Sequence, residues 1–132
     1  MLKKTIKFTD YEGVEREEDF FFNLNKAELM ELQLSTEGGL EKRIQKIVAT
    51  QNSKEIIEIF KGIIIAAYGV KSDDGKRFIK SQEVKDAFIE SEAYSELFME
   101  LATDADAATK FIQGIVPKDT NPVPAPALTN KN

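Results

Sequence analysis

Carboxylates are the only side chains in this sequence whose spacing suggests chemistry. The chain contains no His and no Cys. Imidazole proton shuttles, most transition-metal sites, thiolate sites and disulfides are therefore excluded. Three carboxylate or glycine groupings remain. Ser72-Asp73-Asp74-Gly75 has the composition of a calcium loop. With Gly75 in the glycine position of an EF-hand, however, Val70 and Ser81 fall at the first and last ligand positions, where Asp and a bidentate Glu are needed. The segment reads as a turn. Glu28/Glu31 and Glu96/Glu100 sit at helical spacing. A glycosidase needs two carboxylates facing each other across a cleft, whereas neighbours on one helix are usually solvated surface. Glu37-Gly38-Gly39 lacks the further glycine, the Lys and the Ser/Thr of a phosphate loop, and reads as an irregular helix start. No catalytic, metal or cofactor-binding residue is assigned, and the chain reads as a non-enzyme.

The bulk composition points the same way. The 132 residues carry 18 Lys and Arg against 23 Asp and Glu, a net charge of −5. The basic residues are scattered, so the clustered cations that neutralise phosphates are missing and nucleic acid is not an expected partner. The N-terminal MLKKTIKFTD has signal-like charges with no apolar run behind them. The longest apolar run, between Gly62 and Gly69, is too short for a bilayer, and no membrane partner is expected. With 42% hydrophobic and 31% charged residues the chain has the material for a core.

The elements follow from periodicity. Leu2, Ile6 and Phe8 alternate with Lys3, Thr5, Lys7 and Thr9, the period of a half-buried strand. Asp10-Tyr11-Glu12-Gly13 has a type I turn pattern. A second strand leads to Phe20-Phe21-Phe22. A tight hairpin through Gly13 sets Ile6 opposite Glu18; a longer loop with a bulge in Glu15–Asp19 pairs Phe8 with Phe20 and Ile6 with Phe22, and this aromatic register is the expected one. Asn25 and Glu28 have capping-box spacing, with Leu24 as staple, before a helix bearing Ala27, Leu29, Met30, Leu32 and Leu34. Ser35 or Thr36 starts the next helix, striped with Leu40, Ile44, Ile47 and Val48. Ser53 caps a third, apolar on most sides and so expected at the centre, with Gly69 as its C-cap. Lys71–Lys80 is a loop or tight turn centred on Asp74-Gly75. Ser81 caps a fourth helix with Val84, Ala87 and Phe88. A fifth presents Tyr94, Leu97, Phe98 and Leu101. Thr103 caps a last one, with Asp104 and Asp106 in its first turn, Phe111, Ile112 and Ile115 on one face and Pro117 at its close.

The expected fold is α+β and mostly α. An N-terminal β-hairpin over 2–24 is followed by a bundle of about five to six short helices within 25–117. Residues 1–117 form a single globular domain and 118–132 a disordered, Pro-rich tail. Alternation sends Phe20 and Phe22 to one face of the hairpin and Phe21 to the other. Either more of the fold covers Phe21, or it marks a partner or self-association surface. The candidate partner contacts are Phe20, Phe21, Phe22, Tyr94, Phe98 and Phe111.

Three segments carry a resemblance. They are DYEGVEREEDFFFNLNKAELMELQLSTEGGLEKRI from Asp10, GKRFIKS from Gly75 and EAYSELFMELATDADAATKFIQGIVP from Glu92. Over roughly Thr5 to Pro117 the chain resembles the tail assembly chaperones of long-tailed (siphovirus) phages and prophages of Gram-positive bacteria. The resemblance brings no catalytic signature. It implies a small, largely helical protein of the host cytoplasm that is absent from the mature virion. Such proteins bind the tape measure protein, keep it soluble, and are displaced as tail tube subunits polymerise around it. Contacts with the tail tube protein, self-association and a frameshifted longer form are further implied partners. The alternative reading is a structural virion component, a minor tail or head–tail connector protein.

Overall fold

The computed structural model describes residues 1–35, 42–43, 45–46, 49 and 53–117. The expected stripe at Leu40, Ile44, Ile47 and Val48, the Thr36 cap and the tail over 118–132 lie outside the described residues. In chain order the elements are β1 (Leu2–Thr9), β2 (Glu15–Phe22), α1 (Lys26–Ser35), α2 (Ser53–Ala67), β3 (Tyr68–Lys71), β4 (Phe78–Ile79), α3 (Gln82–Ile89), α4 (Glu92–Thr103) and α5 (Ala105–Ile115). The strands form one antiparallel sheet in the order β1-β2-β3-β4. α4 and α5 pack on β1, and α3 packs on β3 and α4. The α+β, mostly helical expectation with an N-terminal hairpin holds.

The hairpin takes the tight register, not the aromatic one. Leu2 lies opposite Phe22, Ile6 opposite Glu18 and Phe8 opposite Arg16. The turn decides this. The Asp10 carboxylate accepts from the N–H groups of Glu12 and Val14, each at 2.9 Å, and from the Arg16 guanidinium at 2.6 Å. Gly13 donates to the Asp10 carbonyl at 3.0 Å and adopts φ +82°, the left-handed position of a type I turn with a following bulge. The charged mismatch costs little because Glu18 is exposed and meets Arg16 at 3.4 Å. Ile6 is buried in the interior cluster that Leu97 and Leu101 of α4 share.

Interior packing combines aromatic and aliphatic side chains in one cluster. Phe22, Leu24, Ile64, Leu97, Leu101 and Ile115 are the largest fully buried side chains. Phe22 meets Phe88 at 5.7 Å and Phe111 at 5.2 Å between ring centres, both edge-on. Tyr68 stacks on Phe88 at 4.2 Å. Such pairs add to the burial of large apolar surface.

Several local expectations hold. Asn25 N–H donates to Glu28 Oε1 at 2.9 Å and Glu28 N–H donates to Asn25 Oδ1 at 2.8 Å, a reciprocal capping box. Ser81 accepts from Val84 N–H as expected, and Ser91 is a further cap, accepting from Tyr94 N–H at the start of α4. Other expectations need correction. Thr103 is the last residue of α4, its hydroxyl donating to the Met99 carbonyl; Asp104 is the cap of α5 and accepts from Asp106 and Ala107 N–H. A carboxylate satisfies two orphan N–H groups and meets the helix dipole, which a hydroxyl does less well. α2 buries Phe60, Ile63, Ile64 and Ala67 but leaves Ile57 47% exposed, so it is not enclosed on most sides. The turn expected within Lys71–Lys80 is present, and it closes a second hairpin around Gly75 at φ +75°, with β3 and β4 as its strands.

Gly69 is not a C-cap. It lies inside β3, paired with Phe21, where the chain passes from helix to strand without a left-handed residue. Glycine is needed for space. A Cβ at Gly69 would sit 2.8 Å from the Phe78 ring and 2.9 Å from the Ile79 carbonyl oxygen. At Gly62, within α2, nothing among the described residues lies within 4 Å of that position. Gly69→Ala should therefore lower the unfolding free energy by about 1–3 kcal/mol through overpacking. Gly62→Ala should raise it by about 0.5–1 kcal/mol through helix propensity. Urea unfolding of the two variants checks both signs.

Candidate partner-binding surfaces

The six aromatic candidates separate into two groups. Phe22 and Phe111 are buried, and Phe20, Tyr94 and Phe98 are packed against the same cluster. Phe20 lies 5.3 Å from Phe88 and 6.1 Å from Phe8, and Tyr94 lies 5.7 Å from Phe88 and 6.0 Å from Phe98. The structure thus brings five of the six into one cluster, with Phe20, Phe22 and Tyr94 against Phe88, Phe111 against Phe22 and Phe98 against Tyr94. Phe21 faces away from them on the outer side of the sheet. It is half-buried between Lys3 and Gly69, its cross-strand neighbours, with the Lys71 ammonium 5.7 Å from its ring centre. The rest of that outer face is charged and largely self-paired. Thr5 donates to Asp19 at 2.6 Å and Lys7 lies 3.8 Å from Glu17.

Two hollows open among the described residues. One, of about 410 Å³, lies under the hairpin tip and is lined by Lys7, Phe8, Thr9, Glu15, Arg16, Glu17 and Glu96. Its charges are mostly matched within the hairpin, and only Phe8 offers an apolar anchor. The other, of about 320 Å³, lies between α1 and α2. Leu24, Leu32 and Ala66 line it together with Glu28 and Glu31. α1 and α2 also carry Leu34 and Ile57, which are 55% and 47% exposed. Among the described residues no group of carboxylates gathers as a metal ion would require. Asp74 spends its carboxylate on the Lys76 N–H and the Ser72 hydroxyl, which hold it below the usual range.

The groove is held from below by two lysines. Lys80 donates to Glu28 at 2.8 and 2.9 Å and to the Asn23 carbonyl at 2.6 Å, fixing the start of α1 to the end of β4. This partly buried pair also keeps the capping box in place. Lys85 donates to the carbonyls of Ile65 and Tyr68, at the C-terminal end of α2. α2 has no basic residue in its last turn, so Lys85 supplies the missing donor from another helix. Burial, and then the charge of Lys80, push the Lys85 ammonium down to about 8, against a smaller upward pull from Glu28.

A catalytic apparatus would bring carboxylates together across an enclosed space. Among the described residues the apolar groove and the outward Phe21 are the two candidate contact surfaces. The sequence model of the phage tail assembly chaperone family matches residues 1–123. The chain belongs to that family. No curated protein and no solved structure matches it. Membership gives the protein a role in tail assembly, with tail-related proteins as its partners. Among the described residues no helix is long and apolar enough to cross a membrane.

Leu24, Glu28, Glu31, Leu32 and Ala66 are absent from the aromatic candidate set. A signal was present. The apolar residues of α1 (Ala27, Leu29, Met30, Leu32 and Leu34) do not share one face. A short helix needs one stripe for the core, so the remainder is surplus to packing.

Lys85 makes this region sensitive to pH. Its ordinary value is 10.5 and its folded value about 8. Between these values the unfolded chain binds the extra proton, so stability rises with pH in that window. The prediction is a rise in unfolding free energy from about pH 8 to 10 that Lys85→Met abolishes. Urea midpoints measured across that range, with the Lys85 Nζ titrated by NMR, check it.

Proposed function

We propose that this chain binds the tape measure protein in the host cytoplasm, keeps it soluble, and is displaced as the tail tube polymerises around it. The observation that carries the reading is membership of the tail assembly chaperone family over residues 1–123. Physical support comes from the surface. An elongated helical client needs apolar grooves that accept helix faces without a preformed active site, and the α1–α2 groove is of that kind. Several copies are needed to cover such a client, so self-association belongs to the same reading. The net charge of −5 favours a basic client and disfavours adventitious binding to nucleic acid in the cell. Phe21 is the outward candidate contact on the sheet. No catalysis is required at any stage, and the protein is absent from the finished virion.

The test is co-expression with the tape measure protein of the same gene cluster. The expected outcome is a tape measure protein that becomes soluble and co-purifies with this chain, and purified virions that lack it. An insoluble tape measure protein with no complex removes the role. Stoichiometric recovery of this chain in virions gives the assignment to a structural virion component instead.

A further inference from the structure

We propose that the groove between α1 and α2 is a docking site for one face of an amphipathic helix whose apolar anchors are flanked by Lys or Arg. The inference rests on the client-binding reading above and assigns part of that role to a defined surface. The groove is aliphatic, with Leu24, Leu32 and Ala66 along it. Its volume of about 320 Å³ is at the lower limit for a ligand pocket, which suits a few anchor side chains rather than a whole small molecule. Its floor is fixed. Leu24 is 1% exposed, and its N–H donates to the Ile115 carbonyl at 2.8 Å. Ala66 has the smallest side chain of the lining, so the space above it is open to an incoming group. A preformed floor spares a partner the cost of ordering it.

The two carboxylates at the groove differ. Glu28 is engaged by Lys80 and by Asn25 N–H. Glu31 is exposed and makes no ion pair among the described residues. The groove therefore presents apolar walls and one uncommitted negative charge at the rim. Helix-in-groove recognition reads apolar residues at i, i+3, i+4 and i+7. A basic residue beside such anchors meets Glu31 and fixes which face of the helix enters. An acidic residue there is repelled, so Glu31 selects among apolar helices.

The probe is a labelled model peptide of roughly 18 residues, long enough to be helical, with leucines at those spacings and lysines on the flank. The full chain should bind it. Glu31→Lys, a surface change that leaves the core intact, should weaken binding about fivefold or more. The same peptide with glutamates in place of the lysines should bind E31K better than the unaltered chain. Ala66→Trp, which fills the groove, should abolish binding of both. Loss of charge-swap rescue, or unchanged binding to A66W in a protein that still unfolds cooperatively, overturns the proposal. So does a concentration-dependent dimer that A66W dissociates without any peptide binding, because the groove would then hold a second copy of this chain. If A66W fails to fold, the charge swap alone decides. Co-purification of the tape measure protein with both variants would leave the general role standing while this site falls.

Discussion

The backbone of Asn23 and Leu24 is where the rest of the structure is tied together. α2 and α5 both end without a basic residue in the last turn and without a left-handed glycine cap. Their terminal carbonyls need donors from elsewhere. Asn23 N–H donates to the Ala67 carbonyl at 2.8 Å and Leu24 N–H to the Ile115 carbonyl at 2.8 Å. The Asn23 carbonyl accepts from Lys80. Two successive residues at the end of β2 thus satisfy two helix ends and anchor a third segment. Each of these groups would be costly to leave unpaired once buried, so the junction forces α2, α5 and β4 to arrive together.

That junction explains why the core is centred where it is. Phe22 precedes it and Leu24 lies within it, and both are fully buried. Alternation along β2 carries Phe20 and Phe22 inward, and Phe88 and Phe111 close on them from α3 and α5. A two-stranded hairpin is marginal alone, and these rings are how it gains a covered face. The lysines complete the arrangement. Lys80 and Lys85 are drawn inward because carbonyls and a carboxylate need donors there, not because the surface needs charge.

The local chemistry of the chain was legible and its long-range chemistry was not. The capping box at Asn25, the Ser81 cap, the Gly13 and Gly75 turns and the alternation of β1 are set by neighbours in sequence, and each is present. Gly69 was misread because a glycine after an apolar helix usually caps it, whereas the steric demand of Phe78 comes from a strand nine residues on. The hairpin register was misread because aromatic pairing was weighed above the Asp10 turn, whose bonds to Glu12, Val14 and Arg16 act first. Of the six aromatic candidates, five build or pack on the interior. The groove is not legible in the sequence because its residues are ordinary leucines, an alanine and glutamates. Only the placement of α1 beside α2 makes them one surface.

The aliphatic lining of the groove bears on the proposed role. Aromatic rings pack with specific geometry and suit a fixed interior partner. Leu24, Leu32 and Ala66 impose less shape and accept varied side chains. A client presenting many similar but non-identical apolar helix faces is better served by such walls than by a close-fitting pocket. Selectivity then has to come from charge at the rim, where one exposed glutamate discriminates cheaply and its contact is released easily. Under the proposed role, weak and repeated contacts suit a chaperone that is displaced, because each has to yield as the tail tube grows. The stiffness demanded of the fold and the looseness demanded of its contacts are thereby met by different residues. The junction at Asn23 and Leu24 holds the groove's shape, while its lining stays simple enough to let a partner go.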